Sequence, residues 1–299
     1  TEGKEATLAG SASLCVFTPT YNRSHTLPRL YESLLRQTSD DFEWVVVDDG
    51  STDNTEELIA QYIDEKKINI TYIRTENGGK QRAHNVGVEK CTAPLFLCVD
   101  SDDFLVPVAV EHLLSAWKLQ KNGEGISGIL FLKGFTSNKP LGPEFPDGLK
   151  RTTLRNLYSK YHFRGDTGLM YRTDVLKKYP FWVAPGEKFI GENYVYDQID
   201  QKYELLLLNE ILYIAEYLAD GYTKNVRKVT KENPVSYLTL KRQSITFDST
   251  LHEKYRDTIL YLVGCMLANK EGGVREAPSR MLAIMAYLPA LIAKTLFFS

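Results

Sequence analysis

The chain has 299 residues, of which 43% are apolar and 25% are charged, and its formal net charge is −2. This length and composition predict a globular protein with one large or two ordinary domains. A net charge so close to zero excludes the basic signature of a nucleic-acid-binding protein, so we expect no nucleic-acid partner.

The four cysteines have no CxxC spacing, and Cys15, Cys91 and Cys98 lie in or beside apolar runs. We interpret them as core residues of a protein from a reducing compartment. Residues 1–12 are small and polar, without the pattern of a signal peptide. We therefore expect a disordered leader at residues 1–12 and a cytoplasmic protein.

Apolar runs that predict strands lie, in chain order, at residues 13–18, 42–48, 68–73, 94–100, 126–134, 167–172 and 203–217. Helical spacing of apolar residues follows the first, second and fourth runs, at residues 25–37 (with Thr26 as the N-cap), 55–63 and 107–120. Apolar strands that alternate with helices are typical of an α/β fold. We expect an open, Rossmann-like, mostly parallel central sheet with helices on both faces.

Three polar segments leave the ends of predicted strands: PTYNR, DDGSTDN and DSDD. In a parallel sheet these ends share one edge, and ligands bind in the crevice outside that edge. DSDD gathers Asp100, Asp102 and Asp103 directly behind an apolar run. Mn²⁺ or Mg²⁺ would relieve the repulsion among these carboxylates and bridge to a diphosphate. The alternative is a cap for the following helix, for which one aspartate would suffice.

The other two polar segments leave more than one interpretation open. A carboxylate of Asp48 or Asp49 could accept a hydrogen bond from a nucleobase or a ribose, or the segment could be an Asx turn in which Asp53 caps the next helix. NGGKQRAHNVG could be a loop that contacts phosphate, with Lys80 and Arg82 supplying charge, or a plain glycine turn. No phosphate-loop, GxSxG or HExxH motif is found in the sequence.

With VFTPTYNRSHTLPRLYESLLRQT, WVVVDDGSTDNT, NGGKQRAHNVG and LFLCVDSDDFLVP in this order, the sequence resembles the family 2 inverting glycosyltransferases of the GT-A fold. The resemblance covers roughly residues 13–110 strongly and extends weakly to about residue 220. The similar enzymes build bacterial capsule, exopolysaccharide or O-antigen. The resemblance implies that a sugar moves, with inversion, from a nucleotide-sugar, with a UDP-sugar favoured, to a glycan or lipid-linked acceptor.

The resemblance also implies roles for individual residues. The expected nucleotide-sugar contacts are Pro19 and Tyr21 beside the uracil, Arg23, Asp49 on the base with Asp48 as a lesser candidate, Lys80 at the diphosphate, Asp100 and Ser101. Asp102 is the expected metal ligand, together with Asp100. Asp103 is expected among the catalytic residues, as one that orients the site. The expected cofactor is Mn²⁺ or Mg²⁺.

The chain departs from the family pattern at the catalytic base. Inverting transfer needs a general base for the acceptor hydroxyl, and a carboxylate can serve. The family places its base in an ED pair, where this chain reads FIGENYVY, with Glu192 and Asn193. Because Asn193 replaces the usual aspartate, Glu192 becomes the candidate base, with Asp166 and Glu187 behind it.

The C-terminal part, residues 221–299, is expected to be a helical extension of a GT-A domain at residues 13–220. MLAIMAYLPALIAKTLFF is apolar but interrupted by Pro289 and Lys294, so we expect a membrane-surface helix rather than a spanning one. Arg275, Arg280 and the basic region at 222–242 would assist at anionic lipid. The protein would then be peripheral on the inner face of the cell membrane.

Three alternatives remain at this level. The C-terminal helix could instead dock on the catalytic domain or on the partner of a homodimer. A sugar nucleotidyltransferase would share a Rossmann-like sheet but would carry a glycine-rich loop after the first strand, and TPTYNRS has no glycine. A non-catalytic membrane-bound scaffold is disfavoured by the intact DSDD and kept open by Asn193.

Overall fold

The structure is a computed structural model that describes residues 12–120, 125–216 and 225–298. Apart from Ala12, the predicted leader lies outside the described residues, as do residues 222–224 of the basic region.

The described residues form ten strands, and all seven predicted strands are confirmed, with ends that differ by three residues at most. The strands are β1 (Leu14–Thr20), β2 (Phe42–Asp48), β3 (Ile70–Arg74), β4 (Leu95–Cys98), β5 (Phe104–Leu105), β6 (Ile126–Thr136), β7 (Lys139–Pro140), β8 (Arg151–Thr152), β9 (Thr167–Arg172) and β10 (Glu204–Ile214).

The three predicted helices are confirmed as α1, α2 and α4. The helices are α1 (Leu27–Leu35), α2 (Thr55–Glu65), α3 (Lys80–Lys90), α4 (Ala109–Lys118), α5 (Leu154–Ser159), α6 (Thr173–Leu176), α7 (Asn193–Ile199), α8 (Val226–Glu232), α9 (Pro234–Phe247), α10 (Leu251–Leu267), α11 (Gly273–Glu276) and α12 (Arg280–Phe298). Thr26 occupies the N-cap of α1, but its hydroxyl donates to the Arg23 carbonyl at 3.2 Å and does not cap the helix.

The strands form one mixed sheet in the order β3-β2-β1-β4-β9-β6-β10-β5. The strands β3, β2, β1 and β4 are parallel, as predicted for continuous apolar runs. β9 is inserted antiparallel to both β4 and β6, and β10 then runs parallel to β6. As a result, β4, β6 and β10 all end at the same edge, where β9 begins.

Side chains of β1 alternate between two cores, as they must in a sheet covered on both faces. Leu14 and Val16 pack in one core with α1, α2 and α4. Cys15 and Phe17 pack in the other core with α3, α5 and α7. The doubly wound arrangement is therefore confirmed.

Close packing at the reversed strand requires glycine at one position. Gly128 lies in β6, and a Cβ atom there would come within 1.9 Å of the Met170 carbonyl oxygen in β9. This contact is far below any van der Waals distance, so only glycine lets the two backbones approach.

The helices α9 to α12 build a third core that is separate from the sheet. The inner face of α12 is a row of small or medium residues that packs against α10, namely Leu282, Ala283, Ala286 and Ala290. Opposite this row lie large apolar side chains in solvent, namely Met281, Ile284, Met285, Tyr287, Leu288, Leu291, Ile292, Leu296 and Phe297.

A buried ion-pair network joins this helical region to the sheet domain. Arg155 of α5 contacts Asp197 of α7 at 2.9 Å and also pairs with Asp248, which follows α9. Burial, followed by the charge of Asp257, raises the pKa of Asp248 to about 6, and Arg155 opposes this shift. Arg155 is thus the cation that permits the two aspartates to be buried.

We expect Arg155→Met to lower the free energy of unfolding by about 3–5 kcal/mol, because it leaves buried carboxylates without their cation. Chemical denaturation measures the effect. Arg151→Met is the matched control: Arg151 pairs with Glu204 at 3.1 Å but its side chain is 63% exposed, so at most about 1 kcal/mol should be lost. Equal losses in the two variants would contradict the role given to Arg155.

Candidate functional site

The segments after β1 and β2 are tied together at the carboxyl edge of the sheet. The Asn22 amide donates to Ser51 Oγ at 2.8 Å, and the side-chain oxygen of Asn22 accepts from the Thr52 amide at 2.8 Å. The Ser24 amide donates to Asp53 at 3.0 Å. The predicted meeting of these polar segments at one edge is therefore confirmed.

The side chain of Asp48 is bonded within the protein and is not placed to contact a ligand at this edge. Its side chain is fully buried, and its carboxylate accepts from the Ser51 amide at 2.7 Å and from the Tyr72 hydroxyl at 2.6 Å. The turn alternative is therefore correct for this residue. Asp53 accepts from the amide and hydroxyl of Thr55 at the start of α2, again as the Asx-turn alternative predicts.

Asp49 holds the glycine loop in place. Its two carboxylate oxygens accept from the Gly78 and Gly79 amides at 2.7 and 2.8 Å. Gly79 has φ +95°, and a Cβ there would lie 1.8 Å from the Lys188 carbonyl oxygen. The loop before α3 is thus fixed from both sides. Oδ2 also accepts from the side-chain amide of Asn77 at 3.2 Å, whereas Oδ1 retains a lone pair. The predicted contact of Asp49 with a nucleobase stays a prediction.

Lys80, the first residue of α3, bridges two acidic residues. Its ammonium nitrogen lies 2.8 Å from Asp100 Oδ1 and 2.9 Å from Glu192 Oε1. The charge of Lys80 holds the pKa of Glu192 below its ordinary value. Burial opposes ionisation of Asp100, but Lys80 and Lys133 outweigh it and lower its pKa. At neutral pH the three side chains are therefore all charged.

The remaining residues of DSDD have different environments. Burial and the charge of Asp100 raise the pKa of Asp102, so a cation beside it would relieve a real repulsion. Ser101 is buried in the same turn. Asp103 is also buried, and it accepts from the Tyr213 hydroxyl at 2.7 Å and from the Glu216 amide at 2.8 Å.

The contacts of Asp103 make it a positioning residue, which corrects its expected place among the catalytic residues. Burial and Asp100 raise the pKa of Asp103 to about 6. The Tyr213 oxygen also accepts from the Asp100 amide at 3.0 Å. Tyr213 and Asp103 together fix the backbone that carries Asp100, which agrees with the expected orienting role.

Lys133 is a site residue that the sequence analysis missed. It is the register partner of Tyr213 on the neighbouring parallel strand, and its ammonium nitrogen lies 4.4 Å from the centre of the tyrosine ring. The same nitrogen is 3.6 Å from Asp166 Oδ2. Burial disfavours its charge, but Asp166, Asp100 and Asp103 raise its pKa. A lysine at the end of the apolar run ILFLK was the available signal.

Other predicted residues lie around this group. Tyr21 is exposed at the edge, whereas Pro19 is buried in β1 beside Val47. The charge of Arg23 lowers the pKa of Asp102, in opposition to burial. Glu187 lies elsewhere: its carboxylate accepts from the Val235 and Ser236 amides at 2.7 Å each and caps α9. It is therefore no candidate for a base.

The donor set fits a hard divalent cation. Asp100 and Asp102 present carboxylate oxygens at the end of β4, and Mg²⁺ and Mn²⁺ prefer such ligands together with substrate phosphates. Lys80 and Lys133 add positive charge beside them, which suits a diphosphate. The edge thus combines residues for a cation, residues for an anionic ligand, and the two acidic side chains of Glu192 and Asp166.

The fold and this edge define a GT-A glycosyltransferase. Residues 1–349 of S. aureus TarS in complex with UDP share the fold, with a TM-score of 0.56, 18% identity, and coverage of 95% of this chain and 91% of that chain. The mannosyltransferase PcManGT from Pyrobaculum calidifontis in complex with GDP-Man and Mn²⁺ gives a TM-score of 0.55 at 17% identity, covering 95% of this chain and 81% of that chain.

The chain belongs to glycosyltransferase family 2, whose family model matches residues 15–180. An uncharacterized glycosyltransferase of Nostoc sp. is 29% identical over 170 residues, which are 55% of this chain and 52% of the relative. The poly(ribitol-phosphate) beta-N-acetylglucosaminyltransferase TarS of Staphylococcus aureus (strain MW2) is 35% identical over 164 residues, 54% of this chain and 28% of the relative. The chain spans about half or less of the length of these relatives.

Proposed function

We propose that this protein is a metal-dependent inverting glycosyltransferase that moves a sugar from a UDP-sugar to a glycan or lipid-linked acceptor in cell-surface polysaccharide synthesis. The observation that carries the proposal is the grouping of Asp100 and Asp102 at the end of β4 with Lys80 and Glu192. Lys80 lies 2.8 Å from Asp100 and 2.9 Å from Glu192, so residues suited to the metal, the diphosphate and proton transfer adjoin one another.

The roles follow from charge and position. Asp100 and Asp102 would hold Mn²⁺ or Mg²⁺, which when bound would neutralise the diphosphate of the donor. Lys80 and Lys133 supply further positive charge to that diphosphate. Glu192, kept ionised by Lys80, takes the proton of the acceptor hydroxyl while its oxygen attacks the anomeric carbon. The new glycosidic bond forms as the bond to phosphate breaks, with inversion.

The preference for uridine rests on Tyr21 and Asp49, which the family resemblance places beside the base. The likeness to TarS with UDP supports uridine, while the likeness to the mannosyltransferase with GDP-Man keeps guanosine as the competitor. Calorimetry with UDP, GDP and CDP, each in Mn²⁺ and again in EDTA, tests the proposal. We expect UDP to bind at least about tenfold more tightly than the others and only with the metal. Binding of no nucleotide would favour the scaffold alternative.

The exposed face of α12 is the proposed membrane contact. α12 is long and apolar enough to cross a membrane by length and composition, with a mean hydropathy of 1.8. Its inner row is packed against α10, however, so a helix that lies along the surface is consistent with the fold. No acidic residue occurs in α12, and Arg280 and Lys294 flank the apolar face. Arg227 stacks on Phe297 at 5.0 Å and adds a further cation.

We expect Leu288→Glu to weaken binding to vesicles of anionic lipid by at least about tenfold, because it removes the burial of one large apolar side chain. Vesicle flotation measures the effect. Leu119→Glu is the control, since Leu119 is exposed at the end of α4, outside the α12 face. The wild-type protein could instead fail to bind vesicles and form a dimer that Leu288→Glu dissociates. That result would assign this face to a homodimer.

A further inference from the structure

A second group of ligating side chains lies at the opposite end of the sheet. Cys15 in β1 and Glu43 in β2 are register partners on neighbouring parallel strands. Cys91 directly follows α3, and its thiol lies near these two side chains. All three side chains are buried, and one ligand atom from each lies within 4.8 Å of the other two.

Glu43 is the unusual member of this group. It is a carboxylate within the apolar run FEWVVVD, on a face that packs against the core. Its oxygen Oε1 accepts from the Thr92 amide at 3.1 Å and from the Ala93 amide at 3.3 Å. The Thr92 hydroxyl also contacts Oε1 at 3.2 Å and Oε2 at 3.4 Å. Such bonds orient a ligating carboxylate, and Oε2 keeps a lone pair for an ion.

We propose that Cys15, Glu43 and Cys91 form a binding site for one thiophilic divalent cation of the zinc class. Zn–S bonds of about 2.3 Å and Zn–O bonds of about 2.1 Å place two ligand atoms of one tetrahedral ion about 3.6–3.8 Å apart. Movements of about 1 Å at most would bring the three side chains to that geometry. The two thiols bind as thiolates and release their protons to solvent.

The site is independent of the proposed sugar transfer. Cys15 and Thr20, which lies at the donor edge, are five residue steps apart in β1, or about 16 Å along a strand. A cation here would join β1, β2 and the turn before β4. Its expected effect is on stability, with a rise in the melting temperature of about 5 °C when the ion is bound.

The test is expression of the full chain in medium supplied with Co²⁺, followed by absorption spectroscopy of the purified protein. We expect stoichiometric Co²⁺ and a sulfur-to-cobalt charge-transfer band. The carboxylates of the donor edge cannot produce such a band. Cys98 is the thiol that neighbours Asp100 at that edge, and Cys98→Ala should keep the band, which separates the two sites even if both hold cobalt. In the wild-type protein, the band intensity per bound ion should correspond to two thiolates. This measurement needs no variant.

Cys15→Ala and Cys91→Ala should each lose the charge-transfer band and the thermal shift. Cys265→Ala is the matched control, since Cys265 is a buried thiol in the third core, outside the group, and it should keep both. Cobalt bound without the sulfur band would overturn the proposal. A band that persists in both Cys15→Ala and Cys91→Ala would do the same, as would a wild-type mass that reveals a Cys15–Cys91 disulfide.

Discussion

Replacing Asp102 with asparagine is expected to lower sugar transfer by about 10³-fold and to remove the metal dependence of UDP binding. The variant keeps the size of the side chain but removes the charge that would hold the cation under the diphosphate, which is worth several kcal/mol in such sites. Burial and Asp100 raise the pKa of Asp102, which means that the charge of Asp102 destabilises the folded protein. The variant should therefore melt no lower than the wild type.

The measurement is UDP release from whichever UDP-sugar a donor screen identifies, together with calorimetry of UDP in Mn²⁺. Asp64→Asn provides the control, because Asp64 is exposed on α2, away from the carboxyl edge. Asp102→Asn could instead retain full turnover, with UDP binding still abolished by EDTA. That result would show that Asp102 is not a metal ligand and that Asp100 binds the cation without it.

Replacing Glu192 with glutamine is expected to lower kcat by about 10²–10⁴-fold while UDP still binds, because only the proton acceptor is lost. Two variants are matched to it. Glu187→Gln alters the carboxylate that caps α9 and should reduce stability while kcat is retained. Asp166→Asn alters the other acidic residue of the edge. If Asp166→Asn loses turnover and Glu192→Gln does not, Asp166 is the base.

The pH profile gives an independent test of Glu192. Its ordinary pKa of 4.5 is lowered by Lys80, so the base is ionised at neutral pH. The part of the acidic limb that Glu192 contributes should lie below about pH 4.5, where its carboxylate takes up a proton. In Lys80→Met, the largest effect that lowers the pKa of Glu192 is lost, and Lys133 is left to oppose burial and Asp100. The pKa of Glu192 should therefore rise, and the acidic limb should move to higher pH. If the acidic limb of this variant is unchanged, the base is not a group whose pKa Lys80 lowers, which would contradict the assignment of Glu192.

The half of the site built from β1, β2 and β4 could be predicted from the sequence. Each of these strands is a continuous apolar run followed at once by polar residues, so both the parallel pairing and the shared edge follow from local pattern. The prediction failed at Asp48 because two neighbouring aspartates look alike in sequence. Only the fold decides that Asp48 points into the core, toward Tyr72, while Asp49 faces the glycine loop.

The other half could not be predicted, for a physical reason. An apolar run does not report the direction in which its strand enters the sheet, so the reversal of β9 has no local signal. Lys133 and Tyr213 meet only because β6 and β10 are neighbours, although 80 residues separate them (213 − 133). The role of Glu187 depends on the start of α9, at Val235, which is 48 residues away in sequence.

The reversed strand also has a consequence for the order of folding. The parallel half, β1 to β4, is assembled from segments close in sequence. It meets the rest of the sheet along a seam of three residue pairs between β4 and β9, which join residues 95–97 to residues 170–172. Contacts between such distant segments carry a larger loop-closure entropy and form late. The nucleotide half of the edge should therefore assemble first, with Lys80 already beside Asp100, and the second cation, Lys133, joins the acidic residues only when this seam closes.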